Sequence, residues 1–346
     1  MSAGLPARAT IKSLQAGRAF AALMVVLHHA AQKVDAYVAD IPLLFRSIFH
    51  QGMLGVDFFF VLSGFIITYT MHGIAPSQAA TRRFLWKRMV RIYTPYWPVG
   101  IAIALAYLLV PGLSGAARDW GWFATITLLP ATAEPALPLA WSLQHEMVFY
   151  LLFAALFLCG RIASGLAVWA ALIAAAAVSG LGFERPWRFL LHPINLEFIF
   201  GVAAAALHLS GRRLAPPVTL AGIALPLLLF VWLGAPPAAS FLFGLAIAFA
   251  LPPICRLEAD GRLTVGPPLL LLGAASYALY LVHDPLISLV TRLAGPLPSV
   301  GWLPAMLALA ALSVAASLAY HLLWERPVLR LAARGAAKVG APGPAP

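Results

Sequence analysis

Residues 214–255 read LAPPVTLAGIALPLLLFVWLGAPPAASFLFGLAIAFALPPIC, without one Asp, Glu, Lys or Arg. A helix that crosses a bilayer needs about 20 mostly apolar residues. The stretch therefore holds two, with a break at GAPP, residues 234–237. The same reading extends outward, because residues 92–117, 162–183, 263–283 and 293–324 are equally free of those four residue types. Of 346 residues, 62% are hydrophobic and 10% charged, against about 25% charged in a typical soluble domain. So much apolar surface has no place in a water-soluble chain of this size, and lipid is the alternative solvent.

The expected fold is an all-α integral membrane bundle of about ten transmembrane helices, roughly at 12–34, 50–72, 92–111, 142–160, 162–182, 190–210, 215–234, 238–254, 267–291 and 302–323. Residues 1–330 form one membrane domain in this reading. Residues 331–346, rich in Ala, Gly and Pro, form a disordered cytoplasmic tail. The first span is retained, since Arg18 interrupts the apolar run that a signal peptide would need.

Ten spans place both termini on one side. That side receives 16 of the 23 Lys and Arg residues and the other side 6, with Arg18 inside the first span. Cytoplasmic loops carry such an excess, so both termini are expected in the cytoplasm and the net charge of +11 is mostly a topology signal. Nucleic acid is a poor partner, because the basic residues are scattered over separate loops. Trp86, Tyr93, Tyr96 and Trp97 at one end, and Trp120, Trp122 and Trp141 at the other, fit the aromatic belts of the two interfaces. Cys159 and Cys255 have no metal-ligand or redox spacing and read as small buried hydrophobes.

A charge inside the hydrocarbon is costly unless paired or wetted, so it marks a functional candidate. The candidates are Arg18, His29, Asp57, Glu146, Glu197, His283, Asp284 and, at the end of the last span, Glu325. Arg18 and His29 are eleven residues apart, which is three helical turns plus roughly 20°, so they share a face about 16 Å apart. His28 lies about 100° away, so His28-His29 is not a metal pair. His145-Glu146 opens like a zinc-binding His-Glu-x-x-His, but the fifth residue is Phe149 and that reading fails; no metal is expected. Residues 81–96, TRRFLWKRMVRIYTPY, place Arg88 and Arg91 on one face if the loop enters a helix, and such pairs suit phosphate.

At these residues the chain resembles acyltransferase family 3, the polytopic bacterial acyltransferases that modify surface polysaccharides and other cell-surface or secreted molecules. LQAGRAFAALMVVLHH carries the family's Arg, ten residues, then His, as Arg18 and His29. GVDFFFVLSGFIIT places Asp57 and Ser63. Arg88 and Arg91 stand as the family's Arg-x-x-Arg. AWSLQHEMVFYLLF brings Trp141 and Glu146, with Met147 where many members have a second Glu. LEFIFG brings Glu197, SYALYLVHDPL brings Tyr277 and His283, and WERP ends with Glu325. These motifs run in family order from residue 14 to 327, and the Glu-Met form is similar to members linked to exopolysaccharide decoration.

The resemblance implies an enzyme of a bacterial inner membrane that moves an acyl group, acetyl by expectation, from cytoplasmic acyl-CoA to a carbohydrate hydroxyl. The acceptor would be an exopolysaccharide or its lipid-linked precursor, with membrane lipid and other polysaccharide-assembly proteins as neighbours. Acetyl-CoA would be a co-substrate rather than a tightly bound cofactor. Catalysis would fall to His29, as general base, with Arg18, Asp57 and Glu146; Asp57 or Glu146 would orient its other ring nitrogen, and Arg18 would stabilise the oxyanion or hold the CoA arm. CoA would be held by Arg88, Arg91, Ser63 and Tyr277. Trp141, Glu197, His283 and Glu325 would bind substrate or serve as structural polar groups. The rival reading is a multi-pass transporter or flippase whose buried charges line a transport path.

Overall fold

The computed structural model describes residues 10–110, 112, 119–180, 184–236, 239–295 and 300–339. Arg8, Arg118, Pro237 of the expected break, and tail residues 340–346 lie outside them. Among the described residues there is no strand, and the one β-bridge joins Trp120 and Glu134. The helices are α1 (Lys12–Tyr37), α2 (Leu43–His50), α3 (Gly55–Met71), α4 (Gln78–Leu109), α5 (Trp122–Thr127), α6 (Trp141–Leu158), α7 (Ile162–Ser179), α8 (Trp187–Leu190), α9 (Leu196–Leu209), α10 (Pro216–Trp232), α11 (Phe241–Ala259), α12 (Pro267–Ala274), α13 (Ser276–Ala294), α14 (Trp302–Tyr320) and α15 (Arg326–Val339).

Six helical segments are long and apolar enough to cross a membrane, and seven if α12 and α13, bent by 67°, count as one. The segments α9 and α10 are apolar but shorter. The helix α1 is 26 residues long but carries Arg18, His28 and His29 within its apolar run. Large apolar side chains point outward: Val178 is 89% exposed, Trp232 80% and Val231 70%. An apolar surface of that extent on a soluble protein would be an association site. Lipid covers it without penalty.

Local chemistry explains several boundaries. Ser77 caps α4 by accepting the Ala80 N–H at 3.2 Å. The start at Gln78 absorbs residues 81–91 into a helix, so the basic segment read as a loop is helical and Arg88 and Arg91 share a face. Prolines 216 and 267 open α10 and α12, where their missing N–H is not needed. Gly160, at φ +66°, makes the tight turn between α6 and α7. Residues 326–339, RPVLRLAARGAAKV, form α15, because Ala, Arg and Leu favour helix and the single Gly335 does not end it.

At the centre α1, α3, α9 and α13 pack closely through small residues. A Cβ on Gly64 would stand 2.1 Å from the Phe198 carbonyl oxygen, and one on Gly201 2.0 Å from that of Val61. The backbones of α3 and α9 therefore touch. In lipid, where burying apolar surface gives little drive, such close packing is what holds helices together. Gly273 does the same for α12 against α1, with Gln15 O 2.1 Å from its would-be Cβ.

Candidate active site

Two neighbouring cavities lie inside the bundle. The first is lined by Arg18, Ser63, Arg88, Arg91, Glu146 and Tyr277, among others. Six residues expected from sequence to act on the donor or the reaction thus gather in one place from α1, α3, α4, α6 and α13. Arg18 reaches it because α12 breaks off at Ala275: the bend presents Ser276, whose Oγ accepts from Arg18 Nε at 3.0 Å and Nη2 at 2.8 Å. Glu146 Oε1 accepts from Ser63 Oγ at 2.8 Å and also from the Tyr150 hydroxyl. Arg88 packs its guanidinium over Phe84 and Tyr150, 5.6 and 5.7 Å from the ring centres. Its buried Nε has no hydrogen-bond partner among the described residues. Tyr277 donates to the Ile92 carbonyl at 3.1 Å. Three guanidiniums against one carboxylate make this a chamber for an anion.

The second cavity is lined by His28, His29, Gln32, Gln51, Asp57, Trp141 and others. Val56 and Tyr280 line both cavities and form part of the wall they share. Tyr280 is held there: its hydroxyl donates to Leu139 O at 2.7 Å and lies 2.6 Å from Ser142 Oγ. A third cavity shares His28, Gln32 and Gln51 with the second and adds Asp35 and Arg46. The Asp35–Arg46 ion pair, 2.6 Å, and the Asp35 bond to the Ile41 N–H, 2.9 Å, fix its wall.

His29 differs from its expectation in its partners. Its Nδ1 lies 3.0 Å from the Val25 carbonyl oxygen and 3.2 Å from Nε2 of His283. No carboxylate occupies that position. Glu146 is engaged in the first cavity, and Asp57 is turned toward Glu197 and Ser240. The reason is the helix faces: α13 packs along α1 opposite His29, whereas α3 carries Asp57 toward α9 and α11. Glu197, fully buried behind Asp57, lines neither of these cavities; Gly244 makes room for it, a Cβ there falling 2.8 Å from Glu197 Cγ. Glu325 is also outside them. It bonds His321 Nδ1 at 2.7 Å in a π-helical turn, His321–Glu325, that joins α14 to α15. Trp141 lies at the second cavity, edge-on to Phe60 and His145. Cys255 is buried as expected, but Cys159 is exposed, because α6 ends just before it.

Ser142, Ser276 and Tyr280 stand in motifs quoted from the sequence, but the bonds they make, and the bond of Tyr150 to Glu146, were not readable there. His145, weighed in the sequence only as the start of a failed zinc motif, is buried against Phe189 and bonded to Asn195 at 3.0 Å. Among the described residues no group of three or more His, Cys, Asp and Glu could hold a metal ion.

A cationic cavity and a histidine-bearing one thus lie next to each other inside the helical bundle. The model of an acyltransferase domain matches residues 11–322. The chain is 30% identical over 328 residues to the exopolysaccharide production protein ExoZ of Rhizobium meliloti (strain 1021), covering 88% of this chain and 95% of that one. It is 27% identical over 384 residues to the acyltransferase MdmB of Streptomyces mycarofaciens, covering 97% of this chain and 96% of that one. No solved structure matches the chain. The chain belongs to the acyltransferase family 3 and is an acyl-transferring membrane enzyme.

Proposed function

We propose that the protein transfers an acetyl group from cytoplasmic acetyl-CoA to a hydroxyl of an exopolysaccharide or of its lipid-linked precursor, in a bacterial inner membrane. The observation that carries this reading is that the two cavities are neighbours sharing Val56 and Tyr280 in their walls, with three arginines on one side and His29 on the other. Residues 1–330 act as one membrane unit that crosses ten times with both termini in the cytoplasm, as the distribution of Lys and Arg supports. In that orientation the first cavity faces the cytoplasmic acyl-CoA pool. Arg88 and Arg91 clamp the phosphates of CoA, with Ser63 and Tyr277 along its path.

Arg18, three turns from His29 and bonded to Ser276, fits the role of holding the CoA arm. The acceptor enters the second cavity through the polar mouth of Gln32, Gln51 and the Asp35–Arg46 pair, with Trp141 as an apolar face. Its hydroxyl gives a proton to His29 Nε2 while its oxygen bonds the thioester carbonyl carbon. The C–S bond breaks, and the CoA sulfur leaves and takes the proton from the imidazolium. The name of ExoZ, a protein of exopolysaccharide production, supports a polysaccharide acceptor.

CoA binding tests this reading against a transporter. With CoA at 100 times its Kd, the purified protein is expected to gain about 2.7 kcal/mol of stability, read as a rise in Tm. Arg88→Ala removes a charge-assisted contact and is expected to raise the CoA Kd by roughly 10- to 100-fold. A wild-type Tm indifferent to CoA would favour the transporter.

A further inference from the structure

His283 has no role in the reaction as described so far, yet it is the one side chain hydrogen-bonded to His29 among the described contacts. It is fully buried. Its Nδ1 lies 2.7 Å from the carbonyl oxygen of Leu279, one turn back on α13. A carbonyl oxygen only accepts, so Nδ1 of His283 carries a proton. In the neutral ring Nε2 is then a bare acceptor, and it faces Nδ1 of His29 at 3.2 Å. The same His29 nitrogen faces a second pure acceptor, the Val25 carbonyl oxygen, at 3.0 Å. Two independent neighbours thus require hydrogen on Nδ1 of His29. Its lone pair is left on Nε2, on a ring that lines the second cavity.

Resting on the acyl-transfer reading, we propose that His283 is a positioning residue: it accepts the Nδ1–H of His29 and keeps Nε2 free as the base for the acceptor hydroxyl. During turnover His29 holds a second proton, and a cation forms within the bundle. His283 Nε2 and Val25 O are the acceptors that receive its Nδ1–H. A neutral imidazole here takes the place that a carboxylate holds in a triad. His283 is fully buried, and that burial strengthens the contact from its side.

Two amides separate this role from a packing role. In His283→Gln the longer side chain can bring an amide oxygen to the position of Nε2. In His283→Asn the amide can still meet Leu279 but stops short of His29. The assay is transfer of radiolabelled acetyl from acetyl-CoA into the polysaccharide fraction by membrane vesicles of the host, normalised to protein amount. His283→Gln is expected to keep kcat within about fivefold of wild type, and His283→Asn to lose about 10- to 100-fold with the KM for acetyl-CoA unchanged. Equal kcat in wild type and both variants would overturn the proposal, as would equal losses in both, which would mean that the ring itself is required. If neither variant accumulates, nitrogen NMR of the wild-type imidazoles decides: the signal lost in His29→Asn must report Nδ1–H, and Nε2–H there would refute it. Vesicles of wild type that transfer no acetyl at all would instead count against the acyl-transfer reading.

Discussion

His29→Ala is expected to lower acyl transfer by about 10²–10⁴-fold, the range that a positioned general base contributes. The affinity for CoA is expected to stay unchanged, because His29 lines the second cavity and not the first. That separation follows from the chain itself. Arg18 and His29 lie on one helix, eleven residues apart, and the bundle divides between them at Val56 and Tyr280. The alanine variant leaves the arginine chamber whole, so CoA should still raise its Tm. A variant with full transfer activity would remove His29 from the chemistry. A variant that neither transfers nor responds to CoA would show that His29 supports the whole bundle instead.

The second large effect concerns the fold. Gly201→Val places a branched side chain where even a Cβ would stand 2.0 Å from the Val61 carbonyl oxygen and 2.9 Å from the Phe65 nitrogen. Backbone cannot retract as a flexible side chain can, so α3 and α9 must separate. Overpacking costs about 1–3 kcal/mol and occasionally more, and here it falls on the helix that carries Asp57 and Ser63. Gly201→Val is expected to lose most of its monodisperse peak in detergent by size-exclusion chromatography. Gly266→Ala is expected to match wild type, because the nearest atom to its new Cβ is 3.8 Å away. Equal behaviour of the two variants would mean that α3 and α9 do not need this contact.

The helices were legible in the sequence because apolar runs free of charge have few other uses. Boundaries were less so. Ser77 and the cap it makes move the start of α4 into a segment that its five basic residues present as a loop. The Arg18–His29 face was readable from helical period alone. What that face meets was not, since period says nothing about which helix packs against it. His283 stood out as a polar residue in an apolar run, and its position opposite His29 is a product of how α13 lies along α1. Ser276 could not be linked to Arg18 without the 67° bend, which no Pro or Gly at position 275 announces. Glu197 and Glu325 show the limit of reading buried charge as function: neither lines the two cavities, one being buried beside Asp57 and the other bonded to His321.

The most direct measurement is the O-acetyl content of the host's exopolysaccharide in a strain deleted for this gene and complemented with either the intact chain or His29→Ala, at matched membrane levels. Acetylation should vanish on deletion, return with the intact chain and stay absent with His29→Ala. Acetylation that is the same in every strain would contradict the transfer of acetyl to exopolysaccharide through His29.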